Sequence, residues 1–211
     1  MKNTAIMSGL LLCLLPWFVS AEEDTGTVER RSLISGAIAL EVGVGASSIE
    51  VNDNNERGNF YAIGTRVPLS HRVDFILGAS EGNYEAGDGS AEIDVRTRSW
   101  GVDILLGSEP NVIPRLGLRS VSTKVVTKPE GNFRSEETDS GVAVTFGVES
   151  AGSKQFSVDT GLSYVSVQDD ALVSFFNLNY RLSRHFIIRG GVAYDFSNQV
   201  ENLYTGIAIT D

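Results

Sequence analysis

Two histidines are the residues in this sequence best suited to acid–base chemistry. His71 lies in the segment PLSHR and His185 in the segment SRHF, each beside an arginine. A histidine that acts as a general base needs a Ser, Asp or Glu partner to orient it. Both segments are short links between apolar stretches, and a turn residue beside arginine is the simpler interpretation. We therefore predict that the chain has no catalytic residues and is not an enzyme.

The acidic residues follow no established ligand pattern. The segment VNDNNERG begins like a calcium-binding loop, but Arg57 occupies a ligand position and Gly64 stands where a bidentate glutamate is required. The segment GVGASS is not a dinucleotide-binding loop, because no helix follows it. The acidic residues of the polar links could hold divalent cations, but the simpler interpretation is that their charge keeps a surface solvated. We predict no metal site and no cofactor.

The first 21 residues have the pattern of a cleaved secretory signal peptide, with an uncleaved anchor as the alternative. Lys2 is followed by an apolar run, and the letters VSA at 19–21 fit a small-residue cleavage site. The run is short for a membrane-spanning helix. Because the only cysteine, Cys13, lies in this segment, the mature chain has no thiol for a disulfide, a metal or a nucleophile. A polar lead-in is predicted at 22–33 and the folded domain at 34–211.

The charge balance excludes one class of partner. The chain has a formal net charge of -10 and no basic patch with interleaved aromatic residues, so we predict that nucleic acid is not a partner. No segment after the signal approaches 18 consecutive apolar residues, the length that indicates a transmembrane helix. Any membrane-spanning structure in this chain must therefore be built from strands.

The composition and periodicity favour an all-β fold. The chain has 22 glycines, five prolines and little helical periodicity. Alternation of apolar and polar residues predicts ten strands, at 34–46, 59–67, 72–84, 94–107, 115–126, 140–150, 156–167, 173–182, 186–197 and 203–210. Ten antiparallel strands in sequence predict a closed up-and-down β-barrel.

The links between these strands alternate in length. The even-numbered links, such as PLSH and SRH, are mostly tight, whereas the long polar links are at 47–58, 85–93 and 127–139. Short turns at one end and long loops at the other are typical of outer-membrane barrels, with the turns in the periplasm and the loops outside. The even strand count predicts that both termini lie at the periplasmic end.

Each predicted strand has one apolar face and one face of small and charged residues. In HFIIRGGVAYDF, Phe186, Ile188 and Val192 share one face, while Arg189 and Asp195 share the other. A face in open water normally carries many long polar side chains, but lysine is almost absent from these strands. Small residues with scattered arginines and carboxylates suit the interior of a narrow barrel. The apolar face is therefore predicted to contact lipid.

The same alternation predicts a network of ion pairs that fills the barrel interior, since unpaired charges in a confined space are costly. Its members are Glu41, Arg66, Arg72, Asp74, Asp103, Arg115, Arg119, Glu149, Asp159, Arg181, Arg189 and Asp195. Solvated positions at strand ends are the alternative for several of them.

Two features depart from this scheme. Arg96 and Arg98 share a face with Trp100, which places them at headgroup level or in a bulge, and Val121 and Val125 fall on the polar face.

With its signal, strand meander, paired short and long links and charged interior, the chain resembles the small outer-membrane β-barrel superfamily. It is most similar to the group that contains the transmembrane domain of outer-membrane protein A, which includes porin-like members. Members often have eight strands, which is the alternative to our ten. They usually end in an aromatic residue that serves as an assembly signal, whereas this chain ends in Asp211.

The resemblance implies an outer-membrane protein of a Gram-negative bacterium. Its expected partners are outer-membrane lipid and lipopolysaccharide, and the barrel-assembly machinery and periplasmic chaperones during biogenesis. We expect a plugged or narrow lumen and a structural or surface-interaction role through the acidic loops. The alternatives are a small-solute or ion channel, and a soluble periplasmic barrel that binds lipid with its apolar face inward.

Overall fold

The computed structural model describes residues 38–51, 54–85, 91–106, 112–129, 134–151, 153–167, 169–197 and 200–210. The predicted signal peptide and lead-in, 1–33, lie outside the described residues. No helix within the described ranges is long and apolar enough to cross a membrane.

The described residues form ten strands that close into one antiparallel barrel, in which each strand pairs with its sequence neighbours and β1 pairs with β10. The strands are β1 (Ala39–Val51), β2 (Asn54–Ser70), β3 (Val73–Glu85), β4 (Ala91–Leu105), β5 (Val112–Pro129), β6 (Ser135–Ala151), β7 (Phe156–Val167), β8 (Asp169–Ser183), β9 (Phe186–Asp195) and β10 (Val200–Thr210). The predicted ten-stranded all-β barrel is confirmed, and the eight-stranded alternative is wrong.

The barrel has two distinct ends. We call the end that carries the β2–β3, β4–β5, β6–β7 and β8–β9 connections the turn end, and the opposite end the loop end. Ala39 of β1 and Thr210 of β10 pair directly at the turn end, which closes the barrel there. The chain therefore enters and leaves the barrel at the same end.

The long links predicted at 47–58 and 127–139 are wrong as loops where the structure describes them: 47–51, 54–58, 127–129 and 135–139 continue the strands, with pairs such as Val51↔Asn54 on β1–β2 and Thr127↔Ser135 on β5–β6. Most of the link predicted at 85–93, residues 86–90, lies outside the described residues. The polar residues misled the prediction because a hairpin that projects into water satisfies its backbone by pairing and needs no apolar face. The loop end is thus a set of extended hairpins.

The strands differ in length around the barrel. β9 has 10 residues and β10 has 11, close to the roughly 9–11 residues that cross a bilayer core. In contrast, β5 has 18 residues and β6 has 17. The β5–β6 hairpin is therefore long enough to project well beyond a bilayer at the loop end.

The outer surface is apolar around the turn-end part of the barrel. Leu40, Trp100, Phe146 and Ile209 point outward, and Trp100 is 58% exposed. Further toward the loop end of β4, Arg96 and Arg98 are also exposed on the outer face, in continuous register with β3 and β5. They do not form a bulge. The apolar surface of this strand ends at Trp100, and polar residues follow it.

Candidate functional site: the barrel interior

The interior near the turn end is a layer of buried charged side chains. We call it the charged layer, and its members are 0–4% exposed. They are Glu41, Arg66, Asp74, Asp103, Arg115, Arg119, Glu149, Asp159 and Arg189. Because strands alternate between two faces, these residues point inward when the apolar residues beside them point outward. All nine belong to the network that the sequence predicts.

Asp103 on β4 is the first centre of this layer. Its carboxylate accepts hydrogen bonds from Arg66 at 3.1 Å and from Arg119 at 3.0 Å, and it lies 3.6 Å from a guanidinium nitrogen of Arg115. Arg66 also donates to Asp74 at 2.6 Å. One carboxylate therefore neutralises charge on three arginines, which come from β2 and β5. Arg66 also connects it to Asp74 on β3.

Asp159 on β7 is the second centre. Arg115 donates to both of its oxygens at 2.8 Å, and Arg189 and Asn177 each donate to one oxygen at 3.1 Å. Arg189 continues toward Glu41, with 3.7 Å between the charged atoms. Arg115 contacts both centres, so the charged layer is connected from β3 through β9 to β1. The sequence pattern did not identify Asn177, because a neutral amide was not counted with the charges.

Glycines on the inner face provide room for these side chains. A Cβ atom on Gly117 would lie 2.6 Å from an oxygen of Asp103, and one on Gly147 would lie 2.9 Å from Nε of Arg115. Both distances are shorter than van der Waals contact. The ion pairs of Asp103 and Arg115 have room inside the barrel because these positions have no side chain.

Three members of the predicted network lie outside the charged layer. Arg72 is wrong as an interior residue, because it lies in the exposed β2–β3 turn. Arg181 is half-buried near the turn end of β8. Asp195 is buried at the loop end, where its carboxylate accepts a hydrogen bond from the backbone N–H of Ser197 at 2.8 Å. For Arg72 the reason is position: it lies in the link between β2 and β3, where strand alternation no longer applies.

The interior near the loop end has buried apolar clusters that the sequence analysis did not predict, beside buried polar residues such as Asp195 and Asn202. We call this region the apolar cap, and it consists of two clusters of buried side chains. Its members are Tyr84, Ile93, Val95, Val121, Val125, Ala143, Val165, Val167, Ala171, Val173, Phe175, Ala193 and Val200. Val121 and Val125 departed from the predicted alternation for this reason: they point inward, into the apolar cap. Extending the inward positions of β7 and β8 toward the loop end would have revealed it.

The charged layer and the apolar cap meet at Phe175. The guanidinium carbon of Arg115 lies 5.8 Å from the centre of the Phe175 ring, a cation–π distance. Phe175 also lies against Gly147: a Cβ atom on Gly147 would be 3.3 Å from the Phe175 ring. The two regions are therefore in direct contact inside the barrel.

The two histidines lie in the turns that the sequence indicates. His71 is in the exposed β2–β3 turn, and His185 is in the β8–β9 turn, with its Nδ1 3.0 Å from the backbone oxygen of Thr210. His185 thus contacts the last residue of β10. Among the described residues, no group of three His, Cys, Asp or Glu side chains is arranged to hold a metal ion.

No protein family model matches the chain, and no curated protein sequence matches it. Among solved structures, the barrel is similar to the transport unit of the autotransporter AIDA-I from Escherichia coli, with a TM-score of 0.56 and 11% identity over 99% of this chain and 97% of that one. The translocator domain of the autotransporter NalP from Neisseria meningitidis gives a TM-score of 0.52 and 10% identity, over 83% of this chain and 88% of that one. The chain therefore shares its barrel fold with these two translocator structures.

Proposed function

We propose that this protein is an integral outer-membrane protein of a Gram-negative bacterium. The observation that carries the proposal is the distribution of side chains between the two faces. Large apolar residues such as Leu203, 64% exposed, cover the outside, whereas Arg66 is fully buried inside. Apolar surface of this extent is stable only against lipid or another apolar partner.

The same distribution argues against the soluble lipid-binding barrel. Such a barrel keeps its apolar face inward, around the ligand, and its charged face in water. Here the interior of the turn half consists of ion pairs centred on Asp103 and Asp159. A lipid ligand in that space would have to displace charged groups that already satisfy one another.

The test of the membrane assignment is electrophoretic mobility of the membrane fraction, with and without boiling in detergent. A folded barrel in the membrane should migrate differently after boiling and should require detergent for extraction. If the protein instead appears in the detergent-free periplasmic extract and its mobility does not change, the outer-membrane proposal is wrong.

We further propose that the loop end faces the outside of the cell. The mature chain has no native thiol if the predicted signal is removed, so single cysteines can report the topology. Thr138 on the β5–β6 hairpin and Ser153 in the β6–β7 turn are both exposed, at opposite ends of the barrel. On intact cells, a membrane-impermeant maleimide should label Thr138→Cys and leave Ser153→Cys unlabelled. The reverse labelling would overturn the orientation.

We also propose that the lumen is plugged and that the protein has a structural or surface-interaction role. An open pore leaves its lining accessible to water, but Asp159 and Arg189 are 0% and 2% exposed. The alternative is a small channel, which requires the charged side chains to lie against the wall.

Planar-bilayer recordings distinguish a plug from a channel. Wild-type protein should show no single-channel conductance. Arg189→Ala should also be silent, because the apolar cap still closes the loop half. The double variant Arg189→Ala/Phe175→Ala removes large side chains from both regions and should be the first to conduct. Regular conductance steps from the wild type would favour the channel and contradict the plug.

A further inference from the structure

The outer surface is not uniformly convex: it has a groove over β8, β9, β10, β1 and β2. We call it the outer groove, and its volume is about 1110 Å³. This is comparable to pockets that hold drug-sized ligands, which are roughly 300–1,000 Å³. The outward residues Phe176, Val192, Leu203 and Ala46 form one continuous cross-strand row along it.

The outer groove continues toward the turn end. A second depression of about 610 Å³ shares Ala46 and Leu203 with the first and extends to Val44, Tyr61 and Thr205. Small outward side chains at Ala46 and Thr205, between larger neighbours, create the depression. On β10 the two depressions together extend from Glu201 to Thr205, a rise of four residues or about 13 Å along the strand. The groove is therefore elongated along the barrel wall and mostly apolar.

Charged residues border the outer groove only on its loop-end side. Arg57 and Glu201 pair with Ser48 from either side, so their Cα atoms are about 10 Å apart, or two strand spacings. Both side chains are exposed. Within the described part of the chain, neither side chain makes a hydrogen bond or an ion pair. Arg57 is thus an available cation at the end where a lipid headgroup would lie.

We propose that the outer groove holds one acyl chain of a phosphate-bearing lipid, with the lipid phosphate on Arg57. The proposal rests on the proposed function, which places this surface against the outer leaflet. Between a protein and lipid chains the attraction is packing, because both are already out of water. A groove of this shape gives a chain contacts on its floor and both sides, which a smooth wall does not. Arginine binds phosphate through two parallel N–H donors.

Native mass spectrometry of the folded barrel in detergent tests the apolar part of the site. The probes are phosphatidylglycerol and phosphatidylcholine with identical acyl chains. Wild-type protein should retain one lipid. Ala46→Trp fills the groove and should lose that lipid. Ala46→Leu introduces a smaller side chain and should lose only part of the bound lipid. Ala79→Trp is the matched control, because Ala79 is exposed on the outer face of β3, away from the groove. It should retain the lipid.

The charged part of the site has its own pair of variants. Both probes carry the phosphate, but the choline cation of phosphatidylcholine offsets its charge. Wild-type protein should therefore favour phosphatidylglycerol by about two- to fivefold, the range expected for an exposed ion pair. Arg57→Gln should abolish the preference and leave the acyl chain bound. Glu201→Gln removes a nearby negative charge and should increase the preference. A preference that Arg57→Gln does not change would overturn the assignment of the phosphate.

The remaining outcomes are equally decisive. Unchanged lipid retention in Ala46→Trp, or equal loss in Ala79→Trp, would overturn the groove as a lipid site. A dimer of the wild type that disappears in Ala46→Trp would show that a second copy occupies it instead. Each variant is first checked for heat-dependent gel mobility. If the groove is not a lipid site, the wild-type protein still shows the mobility shift. If the protein is not in the membrane, the wild-type protein shows no mobility shift.

Discussion

The charged layer and the apolar cap bury side chains inside the same barrel by different physical means. In the charged layer, Asp103 and Asp159 each hold several arginines at distances of 2.8–3.6 Å. In the apolar cap, residues such as Val173 and Val200 are buried by ordinary packing and need no specific partner. Both regions consist of buried side chains, so the comparison separates burial by paired charge from burial by apolar packing.

The difference lies in how each region responds to a single change. A buried ion pair contributes little net stability when complete, because desolvation offsets most of its Coulomb energy. Removal of one partner is costly, because it leaves a buried charge without compensation. Removal of an apolar atom costs only its contacts and the resulting cavity. A single substitution should therefore lower the free energy of unfolding more in the charged layer than in the apolar cap.

The largest expected effect is that of Asp103→Asn. The substitution keeps the shape of the side chain and removes the charge that Arg66, Arg115 and Arg119 share. We expect the free energy of unfolding to fall by about 3–5 kcal/mol. The measurement is denaturant unfolding of the refolded barrel, with the electrophoretic mobility of the folded form as the readout.

An exposed pair provides the control for that substitution. Arg96 donates to Glu81 at 2.8 Å on the outer face, with more than half of each side chain exposed. Glu81→Gln should cost less than about 1 kcal/mol, because water already screens the pair. Equal losses from Asp103→Asn and Glu81→Gln would contradict the difference between buried and exposed charge.

Gly117→Val tests the space that the charged layer needs. The new side chain would begin 2.6 Å from Asp103 and 3.3 Å from Thr145, so the ion pairs around Asp103 would have to move. We expect a loss of about 1–3 kcal/mol in the same unfolding measurement. Gly190→Val is the control, since the nearest atom to its Cβ is 3.6 Å away. Similar losses at both positions would mean that strand propensity, and not space, sets the effect.

Val173→Ala tests the apolar cap. Val173 is 1% exposed and packs among the buried residues of β5–β10. Removal of two methyl groups without a charge change should cost about 1–2 kcal/mol, at about 0.8 kcal/mol per buried group plus a small cavity. Urea unfolding of this variant should show a smaller shift than Asp103→Asn. A larger shift would make the apolar cap the more fragile region.

Sequence reasoning predicted the barrel and the charged layer, because both follow from alternation. Once Arg189 points inward, so do Asp159 and Arg115 on their strands, and spacing alone identifies them. Alternation does not say which residues meet: Arg115 reaches both Asp103 and Asp159, and that depends on barrel closure and on glycines such as Gly147. Pairing partners two strands apart have no signature in a single sequence.

The apolar cap and the extended hairpins were missed for related reasons. Val121 and Val125 were compared with a polar interior, although the interior changes character along the strand. The segment 127–139 was assigned to a loop because its residues are polar on both faces. A hairpin outside the bilayer has water on both faces, so its polarity does not distinguish it from a loop. The distinction requires the register, which the structure provides.

The β5–β6 hairpin extends the comparison to ion pairs that are partly exposed to water. Lys124 donates to Glu136 at 2.7 Å, and this hydrogen bond lowers the pKa of Glu136 below its ordinary value of 4.5. The pair therefore stabilises the hairpin above pH 4.5, and its contribution is lost as the pH falls through the lowered pKa. Amide hydrogen exchange, corrected for intrinsic rates, should show a slight loss of protection near Glu136 between pH 6 and pH 3. Lys124→Gln should already have the lower protection at pH 6 and change less on acidification. Equal pH responses in the two proteins would mean that the Lys124–Glu136 pair contributes nothing to the hairpin, and that the other partner of Glu136, Arg134, accounts for the response.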